Sequence, residues 1–329
     1  MESSKLVDSF NRRTTKVRIS VTDKCNFACF FCMPIDPIWM PRADVLTYEE
    51  IVRVVKVLKH LGINEVKLTG GEPLVRKDIE VLVNEISQVI EDISMTTNGF
   101  FLNEKARLLH ENGLRRVTVS LHSLRRERFK FITNVDALER VITGIRAAKD
   151  AGLSPVKINS TIIRGRNDDE ILDLLEFAIR EGVSIRYIEF MPFDGKNFWS
   201  LDKVIAGAEI KNTIESRYKL IELPRGVGST SSNYMIKGTD TTVGFITSVT
   251  QPFCSDCDRI RIMANGSLVP CMFGNMEFDF RHLLREGASD DDLEKFFIDK
   301  VGNKFAGVET MVHEKAIPSH IRPMYTIGG

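Results

Sequence analysis

The chain has 329 residues, of which 43% are hydrophobic and 27% charged, and its 45 basic residues balance its 45 acidic ones. This is the balance of a soluble globular protein of one large or two ordinary domains, and zero net charge gives no support to a general nucleic-acid binder. No apolar run reaches the roughly 18 residues of a membrane span, and the polar stretch 1–13 lacks the apolar core of a signal peptide.

From the start to about residue 215, short apolar runs alternate with helical patterns. Strands are predicted over 17–21, 65–69, 93–97, 116–121, 156–163 and 184–190. Helices are predicted between them over 48–61, 78–90, 103–111, 136–151 and 168–181. The first helix opens on Thr47 with Glu50 three residues on, a capping box, and later ones stop at Gly113, Gly152 and Gly182. Repetition of strand and helix predicts a parallel sheet, though the pattern alone does not separate an open sheet from a barrel. After residue 215 the pattern changes. A Gly/Ser-rich loop over 224–232 precedes short strand-like runs near 233–236, 243–248, 259–263 and 267–269, then helical patterns over 279–285 and 290–301. A smaller α+β region is therefore expected, with the division at 1–215 and 216–329.

The six cysteines fall into two groups, Cys25/Cys29/Cys32 and Cys254/Cys257/Cys271. Clustered thiols in a reducing compartment, taken here as the cytoplasm, read as metal ligands before disulfides. The first group follows the first strand, where a β/α repeat opens its ligand-binding face. Three thiolates can hold three irons of a cubane cluster and leave the fourth open to a substrate. Phe27, Phe30 and Phe31 lie between these cysteines and would shield a cluster. Zinc is the alternative at both groups, but each has three cysteines where a closed site needs four ligands.

Other residues carry weaker signals. Gly70-Gly71-Glu72-Pro73 ends the second strand, where glycines let a backbone approach a ligand and a carboxylate can receive an ammonium. Lys157 sits in an apolar strand, where a cation needs an anion or acid to face; Arg18 in the first strand is similar. Arg259 and Arg261 alternate on a strand after Cys257 and so share a face.

The spacing Cys25-x3-Cys29-x2-Cys32 with Thr69-Gly70-Gly71-Glu72-Pro73 resembles the radical S-adenosylmethionine (SAM) superfamily. The second cysteine spacing, Thr96-Thr97-Asn98-Gly99, Arg259-Ile260-Arg261 and the closing Gly328-Gly329 resemble its GTP 3′,8-cyclase family of molybdenum cofactor biosynthesis. The resemblance covers about residues 17–329. It implies an incomplete (β/α)6 barrel, closed at its open side by the C-terminal α+β region, and two 4Fe–4S clusters, one binding SAM and the other the guanine of GTP. It implies SAM contacts at Phe31, Gly70, Gly71, Glu72, Ser120 and Met191, and GTP contacts at Arg18, Lys67, Thr96, Lys157, Arg259 and Arg261. Arg259, Arg261, Gly328 and Gly329 would serve the reaction centre, the last two as a tail reaching into the pocket. Lys67 stands where the family usually has Arg, a looser grip on phosphate, and His122 where it often has Asp.

The implied activity is that of a lyase. A 5′-deoxyadenosyl radical takes hydrogen from the ribose 3′ carbon, and the ribose radical attacks guanine carbon 8; reduction and protonation give 3′,8-cyclo-7,8-dihydro-GTP. The implied partners are an electron donor of flavodoxin or ferredoxin type and, by hand-off of product, cyclic pyranopterin monophosphate synthase. Neither nucleic acid nor membrane is expected as a partner, and a homodimer is left open. The alternatives are another radical SAM enzyme with an auxiliary Fe–S cluster acting on a peptide or other small substrate, a zinc-binding interaction protein, and a paralogue that binds clusters without turnover.

Overall fold

The computed structural model describes residues 5–194, 198–313 and 322–329. Its repeat runs β1 (Lys16–Ser20), α1 (Tyr48–His60), β2 (Glu65–Thr69), α2 (Ile79–Ser87), β3 (Asp92–Thr97), α3 (Leu102–Glu111), β4 (Arg116–Ser120), α4 (Arg126–Thr133), α5 (Leu138–Asp150), β5 (Val156–Ile162), α6 (Ile171–Glu181) and β6 (Ser184–Glu189). All the expected repeat elements form, with ends shifted by a few residues. The capping box is present: Thr47 Oγ1 accepts the Glu50 amide at 3.2 Å, and Glu50 Oε2 accepts the Thr47 amide at 2.7 Å.

The extra helix α4 was not anticipated. Its eight residues place only Phe129, Ile132 and Thr133 inward, too short a stripe to signal a helix by period. A tertiary clamp fixes it. Buried Glu170 accepts Ser123 Oγ at 2.7 Å, the Leu124 amide at 2.7 Å and Arg128 Nη1 at 2.6 Å.

Beyond the repeat come α7 (Gly207–Glu215), β7 (Leu220–Glu222), β8 (Ser232–Ile236), β9 (Thr242–Ile246), β10 (Arg259–Ile262), β11 (Ser267–Val269), β12 (Phe278–Asp279), α8 (Arg281–Arg285), α9 (Asp290–Gly302), α10 (Val308–His313) and α11 (Met324–Ile327). One twelve-stranded sheet has the order β12-β11-β10-β1-β2-β3-β4-β5-β6-β9-β8-β7. The C-terminal region therefore adds strands to both edges of the repeat: β10 runs parallel to β1, and β9 parallel to β6. Between them the chain crosses from one edge to the other, and Cys254 and Cys257 lie on that crossing.

Strand alternation sorts the two faces. Val17, Ile19, Val66, Leu68, Ile93, Val117, Val119, Ile158 and Ile185 join the main hydrophobic core. Their neighbours Arg18, Lys67, Thr96, Ser120, Asn159 and Arg186 line a cavity on the other face, together with Ile246 of β9 and Arg261 of β10. Strands from both edges thus surround one interior cavity, as those of a curled partial barrel do. No helix of the described residues is long and apolar enough to cross a membrane.

Candidate active site

The first cysteine loop is fixed by the turn after β2. The Gly71 amide donates to the Thr22 carbonyl at 2.8 Å and the Glu72 amide to the Lys24 carbonyl at 2.9 Å. A Cβ on Gly70 would lie 2.4 Å from the Thr22 oxygen, and one on Gly71 2.4 Å from the Lys24 oxygen. The sequence suggested that these glycines admit a ligand. Both do line the cavity, but the backbone they admit is that of the cysteine loop, because that loop lies against the turn at contact distance. Glu72 lines the cavity as well. Its carboxylate accepts Thr97 Oγ1 at 2.7 Å and the Leu74 amide at 3.0 Å on one oxygen, and the Asn98 amide at 2.6 Å on the other. Burial holds it up at about 7 despite these donors. These bonds fix its place in the cavity wall.

Cys25, Cys29 and Cys32 all reach the cavity, as do Cys254, Cys257 and Cys271 from the opposite side, and all six thiols are free. Burial pushes Cys25 and Cys32 up to about 12 and Cys29 well above its ordinary value. Burial acts upward on Cys257 too, but the Lys304 and Arg259 charges outweigh it and hold this thiol down at about 7. Lys304, only 2% exposed, donates through Nζ to the Arg259 carbonyl at 2.8 Å, the Cys257 carbonyl at 3.1 Å and Cys257 Sγ at 3.3 Å. Arg12, ion-paired to Asp8 at 2.6 Å, bonds the Cys254 carbonyl at 3.0 Å.

Among the described residues no three His, Cys, Asp or Glu side chains gather closely enough to hold one metal ion. Thiolates on a single zinc would sit roughly 3.8 Å apart from Zn–S bonds of ~2.3 Å. A cubane takes one thiolate per iron and needs a wider triangle. Three half-buried thiols on one loop, with Phe27 and Phe31 beside them at the cavity, suit such a cluster.

The cavity wall opposite the core is cationic. Arg18, Lys67 and Arg186 line it. Burial first, then the neighbouring cations, lowers Arg18 and Lys67 well below their ordinary values and Arg186 to about 10. No hydrogen bond or ion pair engages the Arg18 or Lys67 side chain among the described residues, and Arg186 has only Thr118 Oγ1 at 3.2 Å. Glu65 is the carboxylate that acts on all three from a distance, and three crowded cations facing one such acid suit a polyanion. Ser20 Oγ, Asn159 Oδ1 and Arg186 Nε, buried and unsatisfied, add polar atoms awaiting a partner. Arg186 escaped the sequence reading, although it sits in an apolar strand just as Lys157 does.

Thr96, Ser120, Met191 and Phe31 line the same cavity. Lys157 does not; it faces an adjoining polar cavity deeper in the barrel that shares Arg18, Lys67, Arg186 and Arg259. Arg259 and Arg261 share a face, in register with Lys16 and Arg18, yet both are already engaged. Arg259 donates to the Gly228 carbonyl at 2.8 Å. Arg261 donates to the Gly328 carbonyl at 2.5 Å and to that of Ile327 at 3.3 Å. Arg261 and Thr69, whose hydroxyl donates to the Gly329 carbonyl at 3.0 Å, hold the tail at the cavity. Gly329 lines it, whereas Gly328 packs beneath: a Cβ there would meet Thr69 Cγ2 at 2.4 Å. His122 is buried in the wall, held down at about 4 by burial, with Nδ1 accepting the Thr161 amide at 3.1 Å.

Residues 19–178 match the profile of the radical SAM superfamily, and 183–310 that of Molybdenum Cofactor Synthesis C. The chain is 40% identical over 327 residues to the GTP 3′,8-cyclase of Thermodesulfovibrio yellowstonii, covering 98% of this chain and 99% of that one. This chain belongs to the GTP 3′,8-cyclase family. The mitochondrial GTP 3′,8-cyclase of Arabidopsis thaliana is 38% identical, over 99% of this chain and 84% of its own. Streptococcus suis SuiB bound to S-adenosylmethionine shares the fold, with a TM-score of 0.61 at 15% identity over 95% of this chain and 77% of that one. Radical SAM membership brings with it a 4Fe–4S cluster and SAM.

Proposed function

We propose that the protein converts GTP to 3′,8-cyclo-7,8-dihydro-GTP, the first step of molybdenum cofactor biosynthesis. Cys25, Cys29 and Cys32 would hold the SAM-binding cluster, and Cys254, Cys257 and Cys271 a second 4Fe–4S cluster. When bound, the first cluster and SAM supply the one-electron chemistry that makes a 5′-deoxyadenosyl radical. The chain's own part is to position and exclude water. Phe31, Gly70, Gly71, Glu72, Ser120 and Met191 would face SAM. Arg18, Lys67 and Arg186, with Lys157 below them, would bind the triphosphate and leave the nucleoside between the two cysteine groups, near Thr96 and Arg259. Arg261 would act through the tail it holds, presenting Gly329 to the substrate. We assign the SAM-facing half of the work to residues 1–215 and the second cluster to 216–329. The product would pass to cyclic pyranopterin monophosphate synthase, in the cytoplasm.

The observation that carries this reading is one cavity lined by Arg18, Lys67 and Arg186 and reached by both three-cysteine groups. Anaerobic protein reconstituted with iron and sulfide would be given SAM and dithionite, with and without GTP. Formation of 5′-deoxyadenosine and a cyclised guanosine nucleotide, both dependent on GTP, is the expected result. Deoxyadenosine unchanged by GTP, with no cyclised product, would overturn the substrate assignment and leave the cofactor assignment standing.

A further inference from the structure

On the outer surface, behind the first cysteine loop, lies a groove lined by Phe30, Phe131 and Phe198 with Lys130, Arg166 and Lys203. Glu127 is the acid that lines it. Three cations against one acid is a local excess on a chain whose net charge is zero. Phe131 is 57% exposed, and the Arg166 guanidinium stands over its ring at 5.3 Å and over Phe198 at 5.5 Å. Neither Lys130 nor Arg166 forms an ion pair among the described residues, so both charges are available to a partner.

The groove backs directly onto the cluster-binding loop. The Ala28 and Phe30 amides donate to the Thr133 and Ile132 carbonyls at 3.0 and 3.1 Å, which ties that loop to the end of α4. Phe30 lines the groove while its neighbour Phe31 lines the inner cavity. Their ring centroids are 5.7 Å apart, and Phe30 is again 5.7 Å from Phe131. Two neighbouring rings, Phe30 and Phe31, therefore lead from the groove to the inner cavity.

We propose that this groove docks an acidic one-electron-carrier protein that reduces the cluster held by Cys25, Cys29 and Cys32. The inference rests on the function proposed above, which consumes an electron at that cluster. The carrier is oxidised by one electron and the cluster reduced by one, with no atom transferred. The cations steer an acidic partner and fix its orientation, the exposed aromatic gives the contact an apolar centre, and the two rings lead from it to the inner cavity.

The test uses flavodoxin as the carrier and the reconstituted full chain, comparing wild type with the double variant Lys130→Glu, Arg166→Glu. Both positions are exposed. Calorimetry at low salt reads the flavodoxin affinity, and stopped-flow absorbance reads cluster reduction by reduced flavodoxin and by dithionite. Expected are a roughly tenfold or greater loss of affinity and of flavodoxin-driven reduction, with dithionite-driven reduction unchanged. The neutral pair Lys130→Gln, Arg166→Gln should fall between. Wild-type affinity and flavodoxin-driven rate in the charge-reversed variant would overturn the proposal. Failure of the cyclase reading would show instead as absence of cyclised product with dithionite in the wild type, and the flavodoxin affinities would still decide the docking.

Discussion

The Glu72 carboxylate takes the Asn98 amide at 2.6 Å, and through it reaches the first cysteine loop: Asn98 Nδ2 donates to Asn26 Oδ1 at 2.8 Å and lies 3.8 Å from Cys25 Sγ. The ends of β2 and β3 are thereby tied to the loop that follows β1. Glu72→Gln would turn one acceptor oxygen into a donor facing an N–H or hydroxyl that needs an acceptor. Leaving such buried groups unsatisfied costs about 1–3 kcal/mol. The expected result is a lower urea midpoint of the apoprotein and weaker iron retention, while the triphosphate floor, set within β1, β2 and β6 rather than at their ends, keeps its GTP affinity. An unchanged urea midpoint would show that Glu72 is not a structural tie.

Gly71→Ala tests the same junction from the backbone. The new Cβ would lie 2.4 Å from the Lys24 oxygen and 2.5 Å from that of Asp23, so the loop must move away. A cost of roughly 2 kcal/mol and the loss of the first cluster are expected. Iron analysis after reconstitution should show about half the wild-type content, with the second cysteine group still loaded. Full iron content would mean that the loop tolerates the displacement.

Lys304→Met probes the second group. Its Nζ bonds the Cys257 and Arg259 carbonyls, and such outer partners commonly change metal affinity by about 10–100-fold. The second cluster should be lost on mild chelation that spares the first, read as an early phase of iron release that the wild type lacks. Wild-type release would remove Lys304 from the support of that site.

The strand–helix repeat and both cysteine groups were legible because periodicity and thiol spacing are local. Two kinds of residue were not. Lys304 follows α9, and nothing nearby in sequence points to the cysteine 47 positions earlier that it contacts. Asn98 looked like a turn residue because Asn-Gly is a turn signal, and its side-chain reach to Asn26 depends on the β1–β2–β3 order. Arg186 could have been found, since its strand alternates just as that of Lys157 does. Its contribution is testable. Arg186→Met should weaken GTP binding about 10–100-fold, the worth of hydrogen bonds to a charged group, and leave SAM binding unchanged in parallel titrations of the reconstituted protein. Equal losses for both ligands would argue for a general collapse of the wall.

Lys157 gives the binding site a pH dependence of definite sign. Burial first, then repulsion from Arg186, lowers it to about 8 from an ordinary value of 10.5. Considered alone, this group contributes stability that is present above 10.5 and is lost as pH falls through about 8. Ligand binding runs the other way. Below about 8 the free protein already offers a protonated ammonium; above it the ammonium must first take up a proton to meet a triphosphate. GTP affinity should therefore fall as pH rises from about 8 towards 10.5, with proton uptake on binding that buffers of different ionisation enthalpy reveal by calorimetry. Lys157→Met should bind more weakly at neutral pH and flatten the slope in that window. If the variant keeps the wild-type slope, the titrating cation is another member of the floor, with Lys67, lowered well below its ordinary value by burial and by the Arg18 charge, next in line.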